Sequence, residues 1–271
     1  MISVVLVQHN NGRMTLDAIT SLRRHHADGF EVLVVDNAST DGSASLLRQE
    51  GERLRLVESP NRGFGAANNL AAADAKGDIL LFLNNDTLCT GEYLSGVEKE
   101  FFAAPGMGVL GPRLNNRDGT LQLSAGRLPT FWGEIGEKLI YAAERRRARQ
   151  VLTAAERFFS HRRQVGWVTG AALFIRRELF RRLGGFDQRM FMYFEDKDLC
   201  ARAGTLGAQI IFDPRFAMIH LKGGSSPGGM TPPLKNEYRK SQLRYYSVHR
   251  PVYEQALLKA YLRMTGRTPD E

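Results

Sequence analysis

Short apolar runs alternate with amphipathic segments through the first third of the chain. The runs have the length and aliphatic content of buried strands: ISVVLVQ at 2–8, FEVLVVD at 30–36, RLRLVES at 53–59 and DILLFLNND at 78–86. The segments between these runs have apolar residues at helical spacing and predict helices. They are about 13–26, DGSASLLRQEG at 41–51 and GAANNLAAADAKG at 65–77. Strand–helix alternation with short turns predicts an α/β fold, with a largely parallel sheet covered by helices on both faces.

The second half of the chain has a less regular pattern. MGVLGPRL at 107–114 and TLQLSAG at 120–126 predict strands, and about 133–160 predicts a helix. VGWVTGAALFIRRELFRRLGGFD at 165–187 indicates strand, turn, strand and helix. A short helix opens at Glu195, AQIIFDP and FAMIH predict two final strands, and 234–264 predicts a helix broken at Pro251.

Polar residues collect where three of the predicted strands end, in VDNASTDG, NRGFGAANN and LNNDT. Ligands of parallel α/β sheets bind beyond the carboxyl ends of the strands, so we expect one site there. Asp36 suits the N–H of a pyrimidine base, although a helix N-cap turn in STDGS would also explain it. NRGFGAANN lacks the third glycine of a dinucleotide fingerprint and follows the third strand rather than the first, which excludes that motif.

Two further positions offer chemistry. Asp86 follows Asn84 and Asn85, and oxygen ligands at a strand end suit a divalent ion on a diphosphate, the alternative being a polar turn. His220 ends FAMIH and is either a structural histidine or a ligand. The next loop could bind an anion through Gly223, Gly224, Ser225 and Ser226.

The stretch FMYFEDKDLC at 191–200 places Glu195 and Asp196 directly after four apolar residues. Apolar surroundings raise a carboxyl pKa, and a carboxylate facing a sugar hydroxyl could act as a general base. The alternative is a helix start whose acids complement the helix dipole.

Charge is uneven along the 271 residues, which carry a net +8. Residues 144–163 hold seven Arg against two Glu, and residues 231–271 hold eight Lys and Arg against four acids. These segments suggest an anionic partner, either phospholipid headgroups or nucleic acid, or else solvated helical faces. The apolar runs are all much shorter than the roughly 18 residues of a membrane span, and the N-terminal residues lack the pattern of a basic leader. Cys89 and Cys200 do not have the spacing of metal ligands. We therefore expect a reduced, cytosolic chain.

Taken in order, the motifs of this chain resemble those of the inverting glycosyltransferases of family 2, most closely the rhamnosyltransferase-like branch. The matching segments are VVDNASTDGS, NRGFGAANN, LFLNNDT, WVTGAALFIRRELFRRLGGFD, FMYFEDKDLC and HLKGGSS. The resemblance spans residues 2 to about 226. It implies a GT-A fold, a Rossmann-like, mostly parallel sheet flanked by helices. We expect a glycosyltransferase domain at 1–226, with a nucleotide-sugar half at about 1–115 and an acceptor half at about 116–226, and a basic helical extension at 227–271.

The resemblance also implies roles for matching positions. Asp196 would be the catalytic base and Glu195 would orient it or touch the acceptor. Asp86 and His220 would bind Mg²⁺ or Mn²⁺. The donor would contact the remaining matching positions, Asn10, Asp36, Asn61, Asn68, Asn84, Asn85 and Gly170. Asn84 and Asn85 replace the first two positions of the family's DxD-type motif, and QHNN at 8–11 replaces the Thr or Tyr before Asn that many relatives have.

The implied reaction moves a sugar from a nucleoside-diphosphate sugar, with dTDP-rhamnose as first choice, to a hydroxyl of a glycan or polyprenyl-linked glycan, as in cell-envelope polysaccharide synthesis. The aromatic residues at 191–194 would wall the acceptor sugar. We expect a cytoplasmic protein, peripheral at the membrane through 144–163 and 231–271, and no nucleic-acid partner. A nucleotidyltransferase would need a glycine-rich phosphate loop and Lys after the first strand, where QHNNGR has neither, and a non-catalytic carbohydrate-binding module on this fold is the other alternative.

Overall fold

The computed structural model describes residues 1–26, 28–145, 149–221 and 230–270. The strands of this part are β1 (Ile2–Gln8), β2 (Phe30–Asn37), β3 (Arg55–Ser59), β4 (Ile79–Asn84), β5 (Thr87–Cys89), β6 (Met107–Asn115), β7 (Leu121–Gln122), β8 (Ala125–Gly126), β9 (Arg163–Gln164), β10 (Trp167–Val168), β11 (Ala172–Arg176) and β12 (Gln209–His220). The α-helices are α1 (Gly12–His25), α2 (Ser43–Arg48), α3 (Phe64–Ala73), α4 (Leu94–Ala103), α5 (Phe131–Arg145), α6 (Arg149–Phe159), α7 (Arg177–Arg182), α8 (Glu195–Thr205), α9 (Pro232–His249) and α10 (Val252–Met264).

One sheet organises the molecule, in the order β3-β2-β1-β4-β11-β6-β12-β5. The first four strands are parallel, and the register pairs Gln8 with Asp36 and Val7 with Asn84. Their carboxyl ends therefore meet at one edge of the sheet. This arrangement confirms the α/β prediction and places the predicted polar clusters together.

The strands beyond β4 bring the second half of the chain to the same edge. β11 runs antiparallel to β4, so its first residue, Ala172, pairs with Leu83 near the end of β4. β12 pairs antiparallel with β5, and this register sets His220 opposite Thr87. Segments far apart in sequence thus reach Asp86 from two sides.

The sheet is covered on both faces by separate apolar clusters. One contains Leu81, Leu83 and the buried face of α1, where Ala18, Ile19 and Leu22 follow helical spacing. The other contains Leu80 and Phe82 with residues of α3, α7 and α8. Successive residues of β4 point to opposite faces, and burial on both sides explains its continuous apolar run.

A third cluster joins the C-terminal helices to the segment around the acidic pair. Met190 and Phe194 pack there with Tyr245 and Tyr246 of α9 and with Leu258 and other residues of α10. These aromatic side chains are fully or almost fully buried.

Four details differ from the sequence predictions. TLQLSAG forms two short strands, β7 and β8, which belong to different sheets. The helix predicted at about 133–160 is two helices, α5 and α6, on either side of residues that lie outside the description. AQIIFDP and FAMIH form one strand, β12, with an irregular register between Asp213 and Ala217. β11 runs antiparallel to β4, although the strands on the other side of β4 are parallel to it. The direction of a strand cannot be predicted from its apolar run alone. No helix in the described ranges is long and apolar enough to cross a bilayer.

Candidate active site

Asp36 lies buried at the end of β2. Its Oδ1 accepts the backbone N–H of Ser39 at 2.7 Å, and its Oδ2 accepts a hydrogen bond from the neighbouring strand residue Gln8. Gln8 also donates to the Ser39 hydroxyl at 2.8 Å. The carboxylate is thus fixed by the turn that follows β2. It does not cap α2, whose N-cap residue is Gly42, and it lies at the edge of the sheet where ligands of such folds bind.

Asn10, Asn61 and Asn68, which the sequence predicts for base or ribose contacts, have different surroundings. Asn10 has a positive φ of 51° and accepts the Thr40 N–H at 2.7 Å, so it is held against the turn after β2. Asn61 accepts from the Asn37 side chain at 2.9 Å and from the Gly63 N–H at 3.2 Å. Asn68 is buried inside α3 and donates to the Phe64 carbonyl at 3.0 Å.

Asp86 and His220 meet at the opposite end of the same edge. Asp86 Oδ1 lies 3.1 Å from His220 Nε2, and Asn84 Nδ2 lies 3.5 Å from the same nitrogen. The Asp86 carbonyl also accepts the Leu221 N–H at 2.9 Å, which holds the end of β12 in place. Asn85 instead points to Thr15, donating across 3.3 Å.

Gln122 fixes the imidazole of His220. Its Nε2 donates to the His220 carbonyl at 2.6 Å and to Asn116 Oδ1 at 2.8 Å, which turns its Oε1 towards His220 Nδ1 at 2.9 Å. Because Oε1 only accepts, Nδ1 carries the proton. In neutral His220 the Nε2 lone pair then faces the Asp86 carboxylate.

Two acceptor atoms in contact need a cation between them, either a proton or a metal ion. Two ligand atoms on adjacent positions of an octahedral ion with bonds of about 2.1 Å are roughly 3 Å apart, close to the Asp86–His220 distance. The carboxylate suits Mg²⁺ or Mn²⁺, and the imidazole adds a nitrogen ligand of the kind that binds first-row transition metals. Among the described residues, no group of three or more His, Cys, Asp and Glu side chains is placed to hold a metal ion. The loop residues 223–226, predicted to bind an anion, lie outside the described residues.

Asp196 lies on the first turn of α8, and a backbone N–H contacts each of its carboxyl oxygens. Gly170 N–H donates to Oδ2 at 2.9 Å and Lys197 N–H donates to Oδ1 at 2.7 Å. Burial raises the pKa of Asp196, while the Lys197 charge and these hydrogen bonds act in the opposite direction. A half-buried carboxylate with fixed orientation and raised proton affinity can accept a proton from a bound hydroxyl.

Glu195 is more deeply buried, and its Oε2 is in contact with neither solvent nor a hydrogen-bond partner. Burial, and then the charge of Asp196, raise the pKa of Glu195 to about 8. Two adjacent carboxyl groups with displaced pKa values can hold one proton and one charge near neutral pH. Glu195 is then the protonated member.

The aromatic stretch before this pair has a different role from the predicted acceptor wall. Phe194 is 3% exposed, and its ring lies 5.2 Å from the Tyr238 ring and 5.5 Å from the Tyr245 ring, both on α9. Tyr193 also contacts Tyr238, at 5.5 Å. Because these rings pack against α9, the prediction that the whole stretch surrounds the acceptor sugar is wrong.

Lys197, Gln122 and the Phe64–Phe191 contact were not identified from the sequence. Lys197 Nζ lies 4.5 Å above the Trp167 ring, beside the acidic pair. The Phe64 N–H at the start of α3 donates to the Phe191 carbonyl at 2.8 Å, so the NRGFG loop contacts the segment that precedes the acidic pair. Only Lys197, adjacent to the acidic pair, had a local sequence signal.

Gly170 joins the two halves of the site. Its N–H contacts Asp196, and the carbonyl of the next residue, Ala171, accepts the Asn84 N–H at 3.0 Å and the Thr87 hydroxyl at 3.1 Å. Asp196 is therefore a short chain of contacts from Asp86. The four predicted positions Asp36, Asp86, Asp196 and His220 share one edge of the sheet.

The sequence model of the family described as Glycosyl transferase family 2 matches residues 3–184. The chain belongs to this family. The match covers about two thirds of the glycosyltransferase, including Asp36, Asp86 and Gly170, and ends before Glu195, Asp196 and His220. It confirms the resemblance and the assignment as an enzyme.

Curated relatives of this glycosyltransferase extend over most of its length. It is 29% identical over 238 residues to the N-acetylglucosaminyl-diphospho-decaprenol L-rhamnosyltransferase of Mycobacterium tuberculosis, covering 83% of this chain and 78% of that protein. It is 26% identical over 237 residues to Rhamnosyltransferase WbbL of Escherichia coli, covering 81% and 83%. These alignments confirm the likeness to rhamnosyltransferases.

Solved structures share the fold of this glycosyltransferase. The mannosyltransferase PcManGT of Pyrobaculum calidifontis, in complex with GDP-Man and Mn²⁺, superposes with a TM-score of 0.57 at 19% identity, covering 97% of this chain and 80% of that one. S. aureus TarS residues 1–349 superpose with a TM-score of 0.56 at 18% identity, covering 92% and 72%. The predicted GT-A fold is confirmed.

Proposed function

We propose that this enzyme transfers L-rhamnose from a nucleoside-diphosphate sugar, dTDP-rhamnose being the first candidate, to a hydroxyl of a glycan or polyprenyl-linked glycan. The observation that carries the proposal is the meeting of Asp36, the Asp86–His220 pair and Asp196 along one edge of the sheet. The rhamnosyltransferases among the relatives support the choice of sugar. The lipid-diphosphate acceptor named for one of them supports the acceptor class.

Asp196 acts as the general base. Its two N–H contacts, from Gly170 and Lys197, hold the carboxylate in one orientation towards the acceptor hydroxyl. The acceptor oxygen forms a bond to the anomeric carbon as the bond to the diphosphate oxygen breaks, and Asp196 takes the hydroxyl proton. Attack opposite the leaving group inverts the anomeric configuration. Glu195, protonated near neutral pH, prevents a second negative charge from forming beside Asp196.

The nucleotide lies along the ends of β1, β2 and β3. Asp36, Asn10 and Asn61 contact base and ribose, while Asn84 and Gly170 line the path from the diphosphate to Asp196. Asn68 is buried within α3 and Asn85 donates to Thr15, so the donor contacts predicted for these two residues are not part of the proposal.

Asp86 and His220 are the residues that would hold Mg²⁺ or Mn²⁺. When bound, such an ion neutralises charge that develops on the departing diphosphate. Gln122 keeps the ligating Nε2 of His220 free of its proton by accepting Nδ1–H.

A membrane surface is the proposed partner of the C-terminal helices. On α10, Tyr253, Leu257 and Met264 follow helical spacing and are 64%, 39% and 87% exposed. Lys259 and Arg263 are exposed on the same outer side, whereas Glu254, the acid within α10, is buried. An outward apolar stripe flanked by cations is the pattern of a helix that lies on an anionic bilayer.

The neighbouring helix α5 enlarges this surface. Trp132 is 70% exposed, and its ring is linked through Phe131 to Tyr261 of α10 by centroid distances of 5.2 and 6.4 Å. Tryptophan and tyrosine are favoured at membrane interfaces. The other basic segment, 144–163, has four of its seven arginines, at 145–147 and 149, outside the described side chains. Two of the others, Arg162 and Arg163, have local partners.

Binding and single-turnover transfer with a panel of nucleoside-diphosphate sugars test the proposal. With Mn²⁺ present, dTDP-rhamnose should raise the melting temperature most and be the donor consumed in transfer to a polyprenyl-diphosphate-linked acceptor. Transfer from another sugar nucleotide alone would refute the rhamnose assignment. Donor hydrolysis or nucleotide transfer without glycoside formation would refute the reaction class.

Liposome flotation tests the membrane partner. The parent protein should float with vesicles containing anionic lipid, more weakly as salt rises, and the pair of changes Leu257→Glu and Met264→Glu should abolish flotation. Phe102→Glu, at a site 90% exposed on α4, is the matched control and should float normally. Equal flotation with neutral and anionic vesicles, or no effect of the α10 changes, would refute this partner.

A further inference from the structure

Two residues with left-handed backbone precede the acidic pair. Tyr193 has φ 70° and Phe194 has φ 64°, a region that bulky side chains rarely occupy. Phe194 is the residue that precedes the first turn of α8, which carries Glu195 and Asp196. Strained backbone of this kind persists only where the surroundings fix it, and it concentrates at functional sites.

One face of α9 supplies the fixing contacts. Tyr238, Ser241, Tyr245 and His249 are spaced by three or four residues, so their side chains share that face. The Ser241 hydroxyl donates to the Met192 carbonyl at 2.9 Å, just before the strained pair. The Phe194 ring lies between the rings of Tyr238 and Tyr245.

The same face holds the far side of the first turn of α8. His249 Nε2 lies 2.7 Å from Asp198 Oδ1, and Asp198 Oδ2 accepts from Arg202 at 2.8 Å. Asp198 and Met192 flank the acidic pair in sequence, so α9 contacts the chain on both sides of Glu195 and Asp196. A rotation of this turn would separate Asp196 from the Gly170 N–H.

We propose that α9 is a positioning element of the catalytic centre, in which Tyr238 and Ser241 hold the Tyr193–Phe194 turn and so aim the Asp196 carboxylate at the acceptor. Neither residue touches the reacting atoms. The inference rests on the proposed base role of Asp196. It makes the first C-terminal helix part of the working site, although the sequence predicts it as an appended extension.

Two substitutions test the proposal, each with a matched control. Tyr238→Leu removes the ring that contacts both strained residues, and Phe102→Leu removes a ring that is 90% exposed on α4, away from both proposed binding surfaces. Ser241→Ala removes the donor to Met192, and Ser247→Ala removes an exposed hydroxyl that donates to the Arg244 carbonyl in the preceding turn. Tyr238→Phe keeps the ring and should rescue activity.

We expect Tyr238→Leu and Ser241→Ala to lower kcat about ten-fold or more, because a small misorientation of a catalytic group has effects of this size. The donor KM and the donor Kd should stay within about two-fold of the parent, and both controls and Tyr238→Phe should retain parental kcat. Assays run well below each melting temperature separate this effect from unfolding. Parental kcat in both test variants, or a loss matched by the controls, would overturn the proposal.

A separate experiment distinguishes failure of this inference from failure of the proposed base. If Asp196→Asn is inactive while Tyr238→Leu and Ser241→Ala behave as their controls, the base stands and the positioning role is wrong. If Asp196→Asn remains active, the base assignment fails and the positioning role fails with it.

Discussion

Gly170 donates its backbone N–H to Asp196 across 2.9 Å, while the next carbonyl, that of Ala171, accepts the Asn84 N–H across 3.0 Å. One dipeptide therefore connects the proposed base to the strand end that precedes Asp86. A Cβ added at Gly170 would lie 3.5 Å from the Phe64 ring and 3.6 Å from the Asp196 Cβ, so three segments of the site meet there. The end of β4 and the Asp196 carboxyl group are consequently fixed relative to each other through residues 170 and 171.

A small substitution in the NRGFG loop should disturb the packing of these segments. Gly63 has φ 94°, and a Cβ there would lie 2.3 Å from the Phe191 carbonyl oxygen. Gly63→Ala should reduce the free energy of unfolding by about 2–4 kcal/mol, through both backbone strain and displacement of the Phe191 backbone. Urea denaturation measures this change.

Gly119→Ala is the matched control for Gly63→Ala. Gly119 also has a positive φ, 81°, but open space surrounds its added Cβ. Its substitution should therefore cost only the backbone preference, about 1–2 kcal/mol. Equal losses in the two variants would show that contact with Phe191 contributes nothing.

Gln122 should control metal affinity without being a ligand. Gln122→Ala removes the acceptor of His220 Nδ1–H, so the imidazole can rotate or change tautomer, and Mn²⁺ affinity should fall about 10–100-fold. Electron paramagnetic resonance of free Mn²⁺ measures binding without turnover. Gln164→Ala, at an exposed position of β9, should bind as the parent does, and unchanged affinity in Gln122→Ala would contradict the proposed site.

Glu195 should make the enzyme less stable at alkaline pH. Its pKa is about 8 in the folded protein against an ordinary value of 4.5, so the folded state holds a proton that the unfolded state has lost between these values. Stability from this group is fully present below pH 4.5 and falls by about 1.4 kcal/mol per pH unit towards pH 8.

Glu195→Gln keeps the shape of the protonated acid and removes this titration. The variant should lose less stability than the parent between pH 5 and pH 8, measured by urea denaturation at each pH. Glu52→Gln, at an exposed position, should follow the parent curve. Parallel curves for Glu195→Gln and the parent would show that Glu195 is already ionised.

Several parts of the fold and site could be predicted from local sequence. The apolar runs of β1, β2 and β4 are buried on both faces, and such strands have a clear signature. Asp36 and Asp86 follow strands that proved parallel, so their meeting at one edge followed from the sheet type. Asp196 was predicted from the unusual position of a carboxyl pair after apolar residues, and its role as the base stays a prediction.

Other parts depend on contacts between distant segments, which local patterns do not encode. The direction of β11 is set by pairing with β4 and β6. Gln122 is one polar residue in a two-residue strand, and its role appears only when β12 brings His220 beside it. The sequence around Tyr193 and Phe194 is compatible with rings that face either a sugar or a helix. In the structure they pack against Tyr238 of α9, about 45 residues further along the chain, a contact that local sequence does not reveal.

The rate of a single transfer event in Asp196→Asn, compared with Glu195→Gln, tests the central claim most directly. Both variants replace a carboxyl group by an isosteric amide on the same helical turn. Asp196→Asn should bind donor with the parental Kd and lose at least about a hundred-fold in rate, the scale of general base catalysis, while Glu195→Gln should keep more than about a tenth of the parental rate. Transfer by Asp196→Asn at a rate near that of the parent would contradict the account.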